Sequence, residues 1–313
     1  MKVLLIFVDG MGIGPEDPSV NPFLTAGIPF LRGIFGRRGG PPAGAAVVSG
    51  EVAAVPLDAT LGVPGLPQSA TGQTTILTGE NAAALAGRHV NAHPTPELVA
   101  VLERSSIYRR VLAAGKSVTF INAYRDEAFD MMKDGTYPAS VSTMAALRAG
   151  VKLRTIKDLL EGQAVYHDVT SGILREHGYD VPEVSPEEAG IRAARIALAH
   201  DFSMFEFFLT DITGHRGEMQ RARRVLERLD AFLGAALGVA AARHPRDLCV
   251  IITSDHGNIE DLSTPSHTCN PVPGMFFGAP PGGGLFRIFG LRSICDIAGA
   301  VMRLLGVREG AGV

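Results

Sequence analysis

Cysteine is scarce in this chain and wrongly spaced for cross-linking. Cys249, Cys269 and Cys295 are odd in number, far apart and without a CxxC pair, which excludes a disulfide framework and points to reduced thiols in a cytoplasmic setting. An excess of charge of either sign is also missing. A formal net charge of −3 leaves no basic face to mark a nucleic-acid partner and no acidic tail to act as a solvating segment. Nor is there an apolar run long enough for a membrane. Val3 to Val8 is too short to span a bilayer and ends in Asp9-Gly10 rather than a small-residue cleavage site, so it reads as a first strand and not as an anchor or signal peptide. These absences lead us to expect a soluble, intracellular protein with no membrane or nucleic-acid partner. Its 313 residues suffice for one large core, or for a core with a smaller insert.

What the chain does have is a repeated event, an apolar strand that ends in a carboxylate. Lys2 to Val8 leads into Asp9. Phe205 to Thr210 leads into Asp211-Ile212-Thr213-Gly214-His215, and Cys249 to Ile252 leads into Thr253-Ser254-Asp255-His256-Gly257-Asn258. Runs without polar alternation make strands buried on both faces, and in open α/β sheets the ligand crevice lies beyond the carboxyl ends of such strands. Gly257 allows the bend that lets two adjacent side chains serve one centre. A further imidazole, His267, follows in a Pro-flanked loop. Asp and His mixed in this way suit a divalent cation such as Zn or Mn. Gly10, Gly12 and Gly14 follow Asp9 at GxGxG spacing, but Pro15 comes next and no amphipathic helix begins there. They are therefore not a dinucleotide fingerprint, and are expected to let the backbone pass close to whatever Asp9 binds.

The stretch GLPQSATGQTTILTGENAA reads as a turn into a helix that runs through Thr75-Ile76-Leu77. Ser69 or Thr71 then sits at the positive end of the backbone dipole, near free amides, where a nucleophile could carry a phosphate; the alternative is an ordinary N-cap. Residues 21–67, rich in Gly, Pro and Ala, are expected to be irregular apart from a hairpin around Gly50. His89 and His93 are four apart, but Pro94 and a helix start at Thr95-Pro96-Glu97 place them in a loop near the crevice mouth. Helix Ile107 to Ala114, a stop at Gly115 and strand Ser117 to Ile121 form another α/β unit. From Tyr124 to Val184 the strand–helix alternation lapses, and the core resumes at the capping box Ser185-Pro186-Glu187-Glu188 with a helix to about His200. A long amphipathic helix from Gly217 to Arg243 and a last one from Ser293 to Leu305, with Ser293 and Asp296 spaced as a capping box, complete the chain. The expected fold is α/β, a three-layer α/β/α sandwich with a mainly parallel sheet. Residues 1–123 and 185–313 form its core, and 124–184 a small inserted cap.

Collected at one sheet edge are Asp9, Ser69, Asp211, His215, Asp255, His256 and His267. These carboxylates and imidazoles are enough for two cations, with a hydroxyl available for deprotonation beside one of them. With FVDGMGIG at the start, QSATGQ, DITGH, SDHGN and HTCNPVP, the sequence resembles the alkaline phosphatase superfamily of metalloenzymes. Its nearest branch looks like the cofactor-independent phosphoglycerate mutases and phosphopentomutases. The resemblance covers both ends of the chain and not the middle. It implies that Asp211, His215 and His267 hold one cation and that Asp9, Ser69, Asp255 and His256 hold the other. Ser69 matches the family's phosphorylated residue, with Thr71 as second choice. The implied ions are Mn or Zn before Mg, because nitrogen ligands argue against two magnesium ions. In two respects the chain departs from the family: Gln73 stands where the mutases usually have His, and the insert is much smaller than the lid of the phosphoglycerate mutases. Arg125, in Arg125-Asp126, and Asn270 are the candidate substrate contacts.

The implied activity is phosphoryl transfer to and from a small phosphorylated metabolite through a phosphoserine. A closed lid would return the phosphate to the substrate, giving a mutase, whereas admitted water would give a phosphatase or phosphodiesterase on the same two-metal site. A third reading is a metal-binding protein without catalysis, against which stands the intact ligand set with its hydroxyl. A sulfatase would need a CxPxR-like setting, which the sequence lacks.

Overall fold

Strands form where the apolar runs lie, and the sheet grows outward from the first of them. The structure, a computed structural model, describes residues 1–42, 46–49, 52–242, 247–278 and 290–308. The strands are β1 (Lys2–Val8), β2 (Val47–Ser49), β3 (Val52–Leu57), β4 (Val118–Phe120), β5 (Ala123–Tyr124), β6 (Arg154–Thr155), β7 (Phe202–Phe207), β8 (Leu248–Thr253) and β9 (Val272–Phe277). Seven of them make one sheet in the order β2-β3-β9-β8-β1-β7-β4, and β5 pairs with β6 separately. β4, β7, β1 and β8 are parallel neighbours. β9 runs against both β8 and β3, and β2 against β3. Five of the seven strands thus share a direction, and the antiparallel pairings are confined to one side.

Side chains alternate along a strand, so β1 feeds two cores. Val3, Leu5 and Phe7 join one apolar cluster, while Leu4, Ile6 and Val8 join the other. The first cluster is closed by the helices Ser69–Thr78, Pro96–Ser105, Ile107–Ala113, Val141–Arg148 and Asp296–Leu305. The second is closed by Pro29–Phe35, Pro186–Ala197 and Met219–Ala241. This is the expected α/β/α sandwich. Because β1 lies between β7 and β8, the carboxyl ends of three adjacent strands open at one place.

Local details differ from the sequence reading for tertiary reasons. The strand expected over Phe205 to Thr210 begins earlier, at Phe202, and stops at Phe207, because its partner ends there: Val8 faces Phe207, and Asp9 N–H donates to the Phe207 carbonyl at 2.9 Å. Leu209–Gly214 then forms a short helix. Within the stretch expected to be irregular, Pro29–Phe35 is helical. Its Phe30 and Leu31 amides donate to the carboxylate of Asp230 at 3.0 and 2.8 Å, a cap supplied from the distant helix Met219–Ala241. The hairpin is present as β2 and β3, while Gly50 and the expected helix end at Arg243 lie outside the described residues. Both expected capping boxes are half made. Ser185 Oγ accepts from Glu188 N–H at 3.1 Å, but Glu188 turns to Arg192. The last helix starts at Asp296, whose carboxylate reaches back to the Ser293 N–H at 3.0 Å.

Residues 124–184 contain the β6 half of the small sheet and an apolar cluster with Ile156, Leu159, Tyr166 and Leu174. Their helix Val141–Arg148, however, buries Val141, Ala145 and Ala146 in the first main core. Among the described residues no helix is long and apolar enough to cross a membrane.

The tightest helix contact joins Pro186–Ala197 to Met219–Ala241. A Cβ on Gly190 would lie 2.2 Å from the Phe232 carbonyl oxygen and 3.0 Å from the Ala236 nitrogen, and backbone atoms cannot rotate away as a side chain can. Gly190→Ala should therefore lower stability by about 1–3 kcal/mol, seen as a lower urea midpoint at unchanged slope.

Candidate metal centre

Asp211 lies on the short helix and His215 caps it. At a spacing of four they share a face, and His215 Nε2 is 3.3 Å from Asp211 Oδ2. His267, from the loop after β8, brings its Nε2 to 3.6 Å from Asp211 Oδ1 and 3.2 Å from His215 Nε2. The other nitrogens of both rings face carbonyls, His215 Nδ1 that of Pro265 at 2.7 Å and His267 Nδ1 that of Pro67 at 2.8 Å. A carbonyl only accepts, so each Nδ1 carries the proton and each Nε2 turns a lone pair inward.

Beside this group stand Asp9, Ser69, Asp255 and His256. Ser69 Oγ is 3.0 Å from His256 Nε2, which in turn lies 3.4 Å from Asp9 Oδ1 and 3.5 Å from Asp255 Oδ2. Gln73, the departure from the mutase motif, fills the gap between the acids, its Nε2 3.3 Å from Asp9 Oδ2 and 3.5 Å from Asp255 Oδ2. Donor atoms of Asp211, His215 and His267 lie within 4.8 Å of one another, and so do those of Asp9, Asp211 and His256. Asp211 thus stands between the two halves.

Burial, and then repulsion from Asp255, Asp211 and Glu206, holds the Asp9 carboxyl well above its ordinary range. Asp255 is raised by burial and by Asp211. His256 is pushed well below the ordinary imidazole range by burial and by its neighbours His267 and His215. Among the described residues no lysine or arginine pairs with these carboxylates, and Asp9 Oδ1 is buried without a hydrogen bond. Clustered acids, inward lone pairs and an orphaned oxygen fit divalent cations.

Close backbone packing holds the loops in place. A Cβ on Gly72 would meet Asp255 Cβ at 2.7 Å, so only glycine lets the Ser69 helix approach the β8 loop. The glycines after Asp9 prove to admit a side chain rather than a ligand: a Cβ on Gly12 would lie 2.3 Å from Glu260 Oε1. Glu260 is fully buried and accepts from Gly12 N–H, Asn258 N–H, Thr268 Oγ1 and Asn270 Nδ2 at 2.6–3.0 Å. It staples the Asp9, Asp255 and His267 loops together. The sequence reading missed it, although an acid so soon after SDHGN was a visible signal.

Other candidates fall into structural places. Thr71 is buried, with its Oγ1 donating to the Gln68 carbonyl and accepting from Val90 N–H, each at 3.2 Å, which leaves Ser69 as the hydroxyl at the centre. Two of the free amides expected there are engaged: Ala70 and Thr71 donate to the Val90 carbonyl, while Gly72 to Gln68 is the helix's own first bond. Asn270 turns to Glu260, and His89 to the Val63 carbonyl. Half-buried Arg125 and exposed His93 line a cavity of about 550 Å³ whose wall includes Asp9, Ser69 and Asp211.

Glu206, a second missed residue, lines the same cavity from β7. A lone acid in FSMFEF was its signal. Burial pushes its carboxyl up to about 7, only partly offset by hydrogen bonds from Ser142 and Ser140. Because the folded value is the raised one, the stability Glu206 contributes is full below about pH 4.5 and is lost as pH rises through about 7. Removing the charge should relieve a penalty on the order of 3 kcal/mol. At fixed metal concentration, the melting temperature of Glu206→Gln relative to wild type should rise between about pH 5 and about pH 8.

A family model for the metalloenzyme superfamily matches residues 1–309. The 2,3-bisphosphoglycerate-independent phosphoglycerate mutase of Roseobacter denitrificans is 32% identical over 140 residues, covering 42% of this chain and 26% of that enzyme. The match therefore takes in about a quarter of the relative's length. Among solved structures, a Pyrococcus horikoshii protein superposes with a TM-score of 0.59 at 16% identity, over 100% of this chain and 98% of that one. Alkaline phosphatase from the Antarctic bacterium TAB5 gives 0.54 at 12% identity, over 98% of both chains. At these identities the likeness is one of fold. With the family model running from β1 to beyond the last helix and the clustered Asp and His donors in place, the chain belongs to the metalloenzyme superfamily.

Proposed function

We propose that this protein is a metal-dependent phosphoryl-transfer enzyme that acts on a small phosphorylated metabolite through a phosphoserine at Ser69, in the manner of a phosphomutase. The observation that carries this reading is that Ser69 Oγ stands beside His256 and that Ser69, Asp9 and Asp211, which represent both ligand groups, line one cavity. In this reading Asp211, His215 and His267 hold one divalent cation, and Asp9, Ser69, Asp255 and His256 hold the other, with Mn or Zn preferred to Mg. Bound there, such ions supply the positive charge that favours an ionised serine and offsets charge on the phosphoryl oxygens.

The chain's own groups do the rest. Ser69 Oγ forms the new bond to phosphorus as the bond to the leaving oxygen breaks, and the phosphoserine then passes the group on. His256, kept neutral by burial, accepts rather than donates at Nε2. Gln73 keeps Asp9 and Asp255 from turning away. Arg125 is positioned on the cavity wall to meet a phosphoryl oxygen. In this proposal residues 1–123 and 185–313 form the core and 124–184 the lid, since Tyr124, Tyr137 and Tyr166 of that segment line the cavity. Hydrolysis is the second reading, favoured by the presence of one guanidinium on that wall to retain an intermediate through reorientation.

Turnover of a generic aryl phosphate with added manganese, compared between wild type and Ser69→Ala, tests the nucleophile. A loss of about a thousandfold or more is expected, with one phosphoryl group detected on the wild-type chain alone by intact mass; equal rates would remove Ser69 from the mechanism. Metal fit has its own readout. Manganese or zinc at about a hundred times Kd should stabilise the wild type by about 2.7 kcal/mol in thermal unfolding, and His267→Ala should need more metal for the same shift.

A further inference from the structure

The cavity wall contributed by β7 and by residues 124–184 differs chemically from the metal-ligand wall. Glu206 is 5% exposed there. Its backbone is clamped to Asn122, which accepts from Glu206 N–H at 2.9 Å and donates to its carbonyl at 2.8 Å. Its Oε2 accepts from Ser142 Oγ at 2.6 Å and Ser140 Oγ at 3.4 Å. Among the described residues Oε1 accepts no hydrogen bond, so a lone pair is left over beside the cavity. Next to it, the Tyr124 hydroxyl is 2.7 Å from Thr143 Oγ1. A carboxylate among hydroxyls recognises groups that donate hydrogen bonds.

Charge points the same way. Among the described residues that line the cavity, Arg125 is the one arginine or lysine, whereas Glu206 is an acid outside the metal-ligand set. Above about pH 7, where Glu206 is ionised, a substrate carboxylate entering beside the phosphate could meet one guanidinium, but it would also face the Glu206 charge in a confined space. Like charges so placed are strongly disfavoured.

We propose that Glu206, presented by Ser140 and Ser142, selects the leaving group, and that the substrate is a phosphate monoester of a neutral polyol rather than of a hydroxy acid. The inference rests on the phosphoryl-transfer reading and adds the substrate class to it. Glu206 acts on the part of the substrate that leaves, so it is a specificity-determining contact and takes no part in the bond changes at phosphorus.

Glycerol 3-phosphate and 3-phosphoglycerate differ by a hydroxymethyl in place of a carboxylate, which makes them the probe pair. Consumption of each by the manganese-loaded protein can be followed by phosphorus NMR at about pH 8, where Glu206 is ionised, so that hydrolysis and isomerisation both count. Wild type should favour glycerol 3-phosphate in kcat/KM by about tenfold or more, and Glu206→Gln should shrink that ratio by about tenfold. Ser142→Ala, which leaves the carboxylate in place but less firmly presented, should move the ratio in the same direction by less. A wild-type preference for 3-phosphoglycerate, or a ratio unmoved in both folded variants, overturns the subsite while Ser69-dependent turnover of the aryl phosphate still stands. Absence of that aryl phosphate turnover overturns the phosphoryl-transfer reading and the subsite with it.

Discussion

Three carboxylates, Asp9, Asp211 and Asp255, are forced together at the ends of adjacent strands, and no basic side chain pairs with them among the described residues. Much of the local structure follows from the need to keep them there. Each is carried on a loop that leaves the sheet, where backbone direction is set by β1, β7 and β8 rather than by the acids themselves. Gln73 holds two of them, and Asn258 donates to the third at 2.7 Å. Glu260, a fourth acid deeper in, gathers the surrounding loops through four donated hydrogen bonds. Burial, and then repulsion from neighbouring acids, raises Asp9 and Asp255 well above ordinary carboxylates. A divalent cation turns that cost into binding.

How much of this was legible beforehand depended on range. Apolar runs ending in Asp gave the central strands and the site, because a doubly buried strand and its exit are written in consecutive residues. Asp211 and His215 could be paired from spacing alone. The helix Pro29–Phe35 was not legible, since the carboxylate that caps it comes from Asp230. The end of β7 was misplaced because it is set by where β1 runs out. As helix-start hydroxyls Thr71 and Ser69 look alike and the resemblance alone ranks Ser69 first; packing against Val90 separates them physically. Glu206 and Glu260 were each visible as an acid in an unexpected place, yet their partners lie in loops that no local pattern connects.

Residues 124–184 show why a lapse in strand–helix alternation is an ambiguous sign. The segment shares a small sheet and an apolar cluster with Ala123 of the preceding stretch, and its helix Val141–Arg148 is built into the main core. The same helix begins with the serines that hold Glu206, so the cavity wall inherits the rigidity of the sandwich. A wall anchored in this way can discriminate between leaving groups with little rearrangement.

The carbonyl of Val90 has a consequence for how the centre meets an anion. By accepting from the Ala70 and Thr71 amides, it mutes two of the donors that a bare helix start offers to anions. An anion at this helix start would then depend less on backbone amides than on whatever positive charge stands beside Ser69.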